Sequence, residues 1–135
     1  MAVLIDSSVL IAWERRGLAP EDVKRVVPNE PIGISGVTAS ELLVGVHRDN
    51  SSQRRAQREA FVEAVFASFP VIPFDLRSAR VHAGIGVAMS SAGRPIGVHD
   101  LIISATALAH GYDVLTDNPR KFDRVPGLIV RRPAW

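Results

Sequence analysis

Short apolar runs alternate with longer segments of helical periodicity along this chain, and no other feature constrains the fold as strongly. The first run, Ala2–Ile5, is continuous and apolar, as expected of a strand buried on both faces. Strands that alternate with helices indicate an α/β fold with a central, mostly parallel sheet of four to five short strands flanked by helices. The chain shows no repeat and no linker, so we expect residues 1–135 to form a single domain. The predicted strands span residues 2–5, 32–34, 71–74, 113–116 and 128–130.

Local signals predict where the helices begin. Ser7 or Ser8 can cap a first helix that runs to about residue 16. Pro20 suits the first turn of a short second helix ending near Pro28. The pattern TASE at residues 38–41 is typical of a capping box that opens the next helix. The later helices are predicted over about residues 51–69, 75–92 with Asp75 as cap, and 98–110 with Gly111 as the end.

Four acidic residues are predicted to meet at one edge of this sheet. Asp6 directly follows the first strand, and Asp117 directly follows the fourth. Glu41 and Asp100 are predicted in the first turns of helices that begin at the same edge. Ligands of such sheets bind beyond the carboxyl ends of the strands. Taken singly, each acid also fits a helix cap, a helix-dipole partner or a turn former.

The predicted cluster of carboxylates indicates a metal site. Packed carboxylates repel one another, and the sequence shows no matching run of Lys or Arg beside them. Oxygen ligands, the absence of cysteine and the absence of a suitably spaced histidine pair favour Mg²⁺, with Mn²⁺ as the other candidate. An ion of this kind supports phosphodiester hydrolysis by metal-activated water.

Four motifs in this order resemble the PIN-domain family and, within it, the VapC-like toxins of toxin–antitoxin pairs. The motifs are LIDSSVLI with Asp6, TASELLVGV with Glu41, GVHDLIISATALAHG with Asp100, and the closing VLTDNPRKFDRVPGLIV. The resemblance covers essentially the whole chain. It implies a metal-dependent endoribonuclease in which these three acids are catalytic and bind the metal.

The closing motif departs from the family pattern at one position. Members often carry a fourth acid either just after a Thr, here Thr116, or just before a Phe, and Lys121 stands at the second of these places. We therefore assign the fourth catalytic and metal-binding acid to Asp117, and we expect Asn118 to serve as an outer ligand or turn residue. The resemblance also implies supporting roles for Ser8 and Thr116.

The resemblance implies partners as well as chemistry. RNA is the implied substrate, and a small VapB-like antitoxin is expected to cover the active-site groove with its C-terminal segment. Homodimers, and larger assemblies with antitoxin, are also expected. The arginines at positions 54, 55 and 58 either bind RNA phosphates or form a solvated helix face.

Two other functions remain open at this point. A Mg²⁺-dependent phosphatase or phosphotransferase would use Asp6 as nucleophile, but it would want a second Asp where Ser8 stands and a Lys near the phosphate, and the sequence shows neither. A non-catalytic interaction domain could retain the fold, although it has no reason to tolerate clustered acids. The absence of cysteine suits a reducing cytosol, and no apolar run is long enough to span a membrane, so we expect a cytoplasmic protein.

Overall fold

Strands and helices alternate along the chain as predicted. The structure is a computed structural model that describes residues 2–25, 27 and 29–134. Within these residues the strands are β1 (Ala2–Ile5), β2 (Ile32–Ser35), β3 (Val71–Ile72), β4 (Tyr112–Leu115) and β5 (Val130–Arg131). The α-helices are α1 (Ser7–Arg15), α2 (Gly36–Arg48), α3 (Ser52–Ser68), α4 (Leu76–Ser91) and α5 (Val98–His110). Two 3-10 helices span Pro20–Arg25 and Pro119–Lys121.

The five strands form one sheet in the order β3-β2-β1-β4-β5. Every pairing between them is parallel, which confirms the predicted α/β class. β1 lies at the centre, where Leu4 pairs with Gly33 of β2 on one side and with Val114 of β4 on the other. The carboxyl ends of β1, β2 and β4 therefore open onto the same edge of the sheet.

Helices cover both faces of the sheet. Successive side chains of a strand point to opposite faces, so Val3 and Ile5 pack with α1, α2 and α3, whereas Leu4 packs on the other side with Ile103 of α5 and Phe122. Helix α4 packs against α5. Burial on both faces explains why β1 is continuously apolar.

Two predicted helix starts are wrong. Asp6 occupies the cap position of α1, so Ser7 and Ser8 lie inside the helix. Helix α2 begins at Gly36, and its cap is Ser35, whose Oγ accepts a 3.1 Å hydrogen bond from the backbone N–H of Thr38. The predicted capping box therefore does not open the helix, and Glu41 lies in its second turn. In both places the chain turns into the helix directly at the strand end, which leaves no room for a later cap.

Other local signals hold. Asp75 caps α4 by accepting the Ser78 N–H at 2.9 Å, and Gly111 ends α5 with a left-handed φ of +74°. The segment after Pro20 is a 3-10 helix, and its predicted end near Pro28 falls outside the described residues. The predicted third strand is shorter than expected, and the fifth begins two residues later than predicted. No helix in the described part of the chain combines the length and apolarity needed to cross a membrane.

Candidate active site

Asp6 is the most deeply buried acid at the carboxyl edge of the sheet. It follows β1 directly and has no exposed surface. Its Oδ2 accepts hydrogen bonds from Ser8 Oγ at 2.8 Å and from Thr116 Oγ1 at 2.9 Å. Its Oδ1 is buried and has no hydrogen-bond partner among the described residues. One oxygen of the carboxylate is therefore saturated by donors, and the other remains free to bind a ligand.

The loop after β4 is tied to Asp6 through two hydroxyl groups. The backbone N–H of Asp117 donates to Ser8 Oγ at 3.1 Å, and that of Asn118 donates to Thr116 Oγ1 at 3.0 Å. The side chain of Asp117 is exposed, and it makes no hydrogen bond or ion pair with the residues that the structure describes. The structure thus brings Ser8 and Thr116 to Asp6, and it brings Asp117 and Asn118 alongside through their backbone.

Asp100 and Asp6 share a lysine. Asp100 lies in the first turn of α5, as predicted. The Nζ atom of Lys121 is 3.4 Å from Asp100 Oδ1 and 3.4 Å from Asp6 Oδ2. The expectation that no basic residue neutralises the acids is therefore wrong. It failed because Lys121 is 115 residues from Asp6 in sequence and reaches it only through the fold.

The charges of Asp6, Asp100 and Lys121 affect the pKa values of Asp100 and Lys121. Burial raises the pKa of Asp100, and the charge of Asp6 adds to that rise, while Lys121 opposes it without cancelling it. Burial lowers the pKa of Lys121, but the two carboxylates outweigh this effect and raise its pKa overall. Lys121 is therefore a charged ammonium group at neutral pH and acts as a counter-ion to both acids.

Glu41 reaches the same edge from α2. Its Oε2 lies 3.3 Å from Nδ1 of His99, the exposed residue that precedes Asp100. Its Oε1 is buried without a hydrogen-bond partner among the described residues. Glu41 and Asp6 therefore each present one buried carboxylate oxygen that no described donor satisfies.

The carboxylate oxygens at this edge of the sheet are chemically suitable ligands for a hard divalent cation. Buried carboxylate oxygens without donors are costly in a folded protein, and a bound cation removes that cost. Side-chain oxygens are also the ligands that Mg²⁺ and Mn²⁺ prefer. However, within the described residues no three His, Asp or Glu side chains lie close enough together to hold a metal ion. The ammonium group of Lys121 instead stands between two of the expected ligands.

A basic cleft lies beside Asp100, and it could not be predicted from the sequence apart from the basic residues of the closing motif. The cleft encloses about 190 Å³ and is lined by Asp100, Lys121, Arg120 and Arg124. Arg94 lines the adjoining groove together with Arg124. We call Arg94, Arg120 and Arg124 the arginine rim. Their side chains are exposed and form no ion pair with any described residue.

The arginines of α3, in contrast, are engaged within the protein. Arg54 pairs with Asp49 at 3.3 Å, and Arg58 pairs with Glu14 at 3.4 Å. The guanidinium group of Arg55 donates to the carbonyl oxygen of His47 at 3.1 Å. These contacts leave the α3 arginines less available to an RNA phosphate than the arginine rim.

The chain is similar to known proteins over nearly its whole length. The sequence model described as the PIN domain matches residues 3–128. Ribonuclease VapC1 of Rickettsia felis is 36% identical over 130 residues, which cover 96% of this chain and 95% of that protein. The tRNA(fMet)-specific endonuclease VapC of Salmonella typhimurium is 32% identical over 98 residues, covering 72% of this chain and 71% of that protein. In structure, VapBC2 from Rickettsia felis bound to a DNA fragment from their promoter matches with a TM-score of 0.87 at 20% identity, covering 99% of this chain and 100% of that one.

Proposed function

This chain belongs to the PIN-domain family and, within it, to the VapC-like proteins, and from this premise we propose that it is the ribonuclease toxin of a VapBC-like pair. It hydrolyses RNA phosphodiester bonds as an endonuclease, and it uses Mg²⁺ or Mn²⁺. Relatives at 36% and 32% identity that are named as a ribonuclease and as an endonuclease support the reaction.

One structural observation supports the proposed metal dependence. Asp6 and Glu41 each hold a buried carboxylate oxygen without a donor at the carboxyl edge of the sheet. Asp6, Glu41 and Asp100 are the proposed ligands, with Asp117 as the fourth acid, and their side chains must move closer together than the structure places them to hold one ion. When bound there, such an ion polarises a phosphodiester and lowers the pKa of water. Ser8 and Thr116 orient Asp6 by hydrogen bonding to its Oδ2, which leaves Oδ1 as the free acceptor.

We assign RNA binding to the arginine rim. Its guanidinium groups have no partners among the described residues. Arg120 and Arg124 line the cleft that contains Asp100, and Arg94 lines the adjoining groove. Guanidinium groups bind phosphates through paired hydrogen bonds. An RNA backbone held along Arg94, Arg120 and Arg124 would pass beside the acids.

A VapB-like antitoxin is the proposed protein partner. The similarity to solved VapBC structures, one of which is described as a member of the VapBC family of toxin–antitoxin systems, supports it. A groove between α1, α2 and α3 is lined by Ile11, Leu42 and Phe61 and also by Glu41, and we assign it to an apolar segment of the antitoxin. Homodimers, larger assemblies with antitoxin and a cytoplasmic location stay predictions.

The phosphatase or phosphotransferase alternative gains one feature from the fold, because Lys121 lies beside Asp6. Ser8 still stands where that alternative would want a second Asp, and the Ser8 hydroxyl donates to Asp6 Oδ2. A purely binding domain gives no reason for the donorless oxygens of Asp6 and Glu41.

The proposed reaction can be tested by its products. The antitoxin-free protein is incubated with total RNA, and separately with initiator tRNA, in Mg²⁺, in Mn²⁺ and in excess EDTA. We expect cleavage only with metal, and fragment ends without a 2′,3′-cyclic phosphate, because water and not the 2′-hydroxyl is the nucleophile. Cleavage that persists in EDTA, or that leaves cyclic phosphate ends, would contradict the proposal.

A further inference from the structure

Lys121 is held in place by its neighbours in the fold. It ends the 3-10 helix Pro119–Lys121, and the next residue, Phe122, is fully buried in the core beside β1, β4 and α5. The Lys121 ammonium lies 5.4 Å from the centre of the Phe122 ring. With Phe122 anchored, the lysine side chain extends from a fixed backbone position towards the two acids.

The ammonium group bridges two of the proposed metal ligands, on the Oδ2 side of the Asp6 carboxylate whose Oδ1 has no donor among the described residues. Its Nζ is equally distant, at 3.4 Å, from one oxygen of Asp6 and one oxygen of Asp100. The side chain is 32% exposed, so the charge is only partly screened by water. A divalent ion that approached Asp6 and Asp100 would meet a positive charge already in contact with both carboxylates.

We propose that Lys121 is a tethered counter-ion that competes with the divalent ion for Asp6 and Asp100. Metal binding then requires the ammonium group to leave the two carboxylates, which its flexible four-carbon stem permits. Lys121 stabilises the metal-free site and weakens metal binding by the same contacts. This inference rests on the proposed metal-dependent function.

Calorimetric titration with Mn²⁺ tests the competition without measuring RNA cleavage. Lys121→Gln should bind Mn²⁺ about tenfold more tightly than wild type or better, a change that corresponds to about 1.4 kcal/mol. Lys121→Arg keeps the charge and should retain the weak wild-type affinity. Lys24→Gln is the matched control, because Lys24 is the only other lysine in the chain and is exposed in the first 3-10 helix. It should bind as wild type does.

A second measurement follows Lys121 in the wild-type protein. With only two lysines, labelling lysine at Cε with ¹³C gives two NMR signals, and Lys24→Gln identifies them. Added Mg²⁺ should move the Lys121 signal towards that of the exposed Lys24, because the ammonium leaves the carboxylates for solvent. The Lys24 signal should stay in place.

The outcomes separate this inference from the proposed function. If Mn²⁺ binds Lys121→Gln no more tightly than wild type, or if saturating Mg²⁺ leaves the Lys121 signal in place, the competition is wrong and the metal-dependent function stands. If neither wild type nor Lys121→Gln binds Mn²⁺ at millimolar concentration while both are folded, the result contradicts both the metal-dependent function and the inference that rests on it.

Discussion

The hydroxyl of Thr116 donates a 2.9 Å hydrogen bond to Oδ2 of Asp6, although 110 residues separate the two in sequence. The bond joins the ends of two adjacent strands, β1 and β4, at the edge where the acids gather. Thr116 is buried, and its Oγ1 also accepts the backbone N–H of Asn118 at 3.0 Å. One side chain therefore fixes both Asp6 and the loop that carries Asp117.

Thr116→Val should lower the free energy of unfolding by about 1.5–3 kcal/mol, the usual range for a hydrogen bond to a charged group. Valine keeps the shape of threonine and removes only the hydroxyl. Thr116→Ser keeps the hydroxyl and should lose less stability. Urea unfolding of the three proteins measures the effect, and equal stability of the Val variant and wild type would show that the bond does not hold Asp6.

Asp117→Asn should reduce RNA cleavage more than Asn118→Ala does. Asp117 would supply the fourth carboxylate, whereas Asn118 contributes its backbone N–H, which alanine retains. Initial cleavage rates of the two variants at saturating Mg²⁺ check the order. A larger loss for Asn118→Ala would transfer the fourth position to Asn118.

Replacing the arginine rim should weaken RNA binding and make it less dependent on salt. For Arg94→Gln, Arg120→Gln and Arg124→Gln combined, the slope of log affinity against log salt should fall by up to about two, at roughly 0.7 per phosphate contact of a single strand. Binding is measured in EDTA so that RNA stays intact.

The matched control for the rim is the arginine set of α3. Arg54→Gln, Arg55→Gln and Arg58→Gln combined removes the same number of charges from side chains that are engaged within the protein. This variant should keep the wild-type slope. The assignment of RNA binding to the arginine rim would be wrong if the α3 variant showed a weaker salt dependence of RNA affinity and the rim variant showed the wild-type salt dependence.

Asp6→Asn should destabilise the metal-free protein by about 1–3 kcal/mol. The predicted repulsion between carboxylates would have made this variant more stable than wild type. The structure reverses the expected sign, because Asp6 receives donors from Ser8 and Thr116 and pairs with Lys121. Melting curves in EDTA show whether Asp6→Asn is less stable or more stable than wild type. A higher stability of Asp6→Asn would show that repulsion between carboxylates outweighs these contacts.

Metal addition gives the second half of the same experiment. A ligand that binds only the folded state stabilises it by about 2.7 kcal/mol when its free concentration is 100 times its dissociation constant. Wild type should gain stability from Mn²⁺, and Asp6→Asn should gain less because one ligand charge is gone. Equal stabilisation of the two proteins by Mn²⁺ would show that Asp6 is not a metal ligand.

Features that depend on neighbours in sequence could be predicted, and features that depend on the fold could not. The apolar run of β1, the Asp75 cap and the Gly111 helix end are local signals, and the structure has all three. The predicted start of α2 was wrong because the true start depends on the residue at which β2 ends. Two hydroxyl residues, Ser35 and Thr38, are both suitable caps in sequence.

The charge balance of the site could not be predicted for a related reason. Lys121 was recognisable as an unusual residue in the closing motif, but its contacts with Asp6 and Asp100 exist only after β1, α5 and the second 3-10 helix are packed together. The unpaired state of the arginine rim likewise depends on which acids the fold brings near each arginine.

The most direct test of the central claim is the rate of metal-dependent RNA cleavage by wild type and by three isosteric variants, Asp6→Asn, Glu41→Gln and Asp100→Asn. Asp123→Asn is the control, since Asp123 is an exposed acid two residues after Lys121 whose side chain has no hydrogen bond or ion pair within the described residues. Each variant is purified in the same way and shown to unfold cooperatively. We expect the three variants to lose cleavage in Mg²⁺ and Mn²⁺ while wild type and Asp123→Asn cleave equally. Undiminished metal-dependent cleavage by any of the three would contradict the catalytic role assigned to that acid.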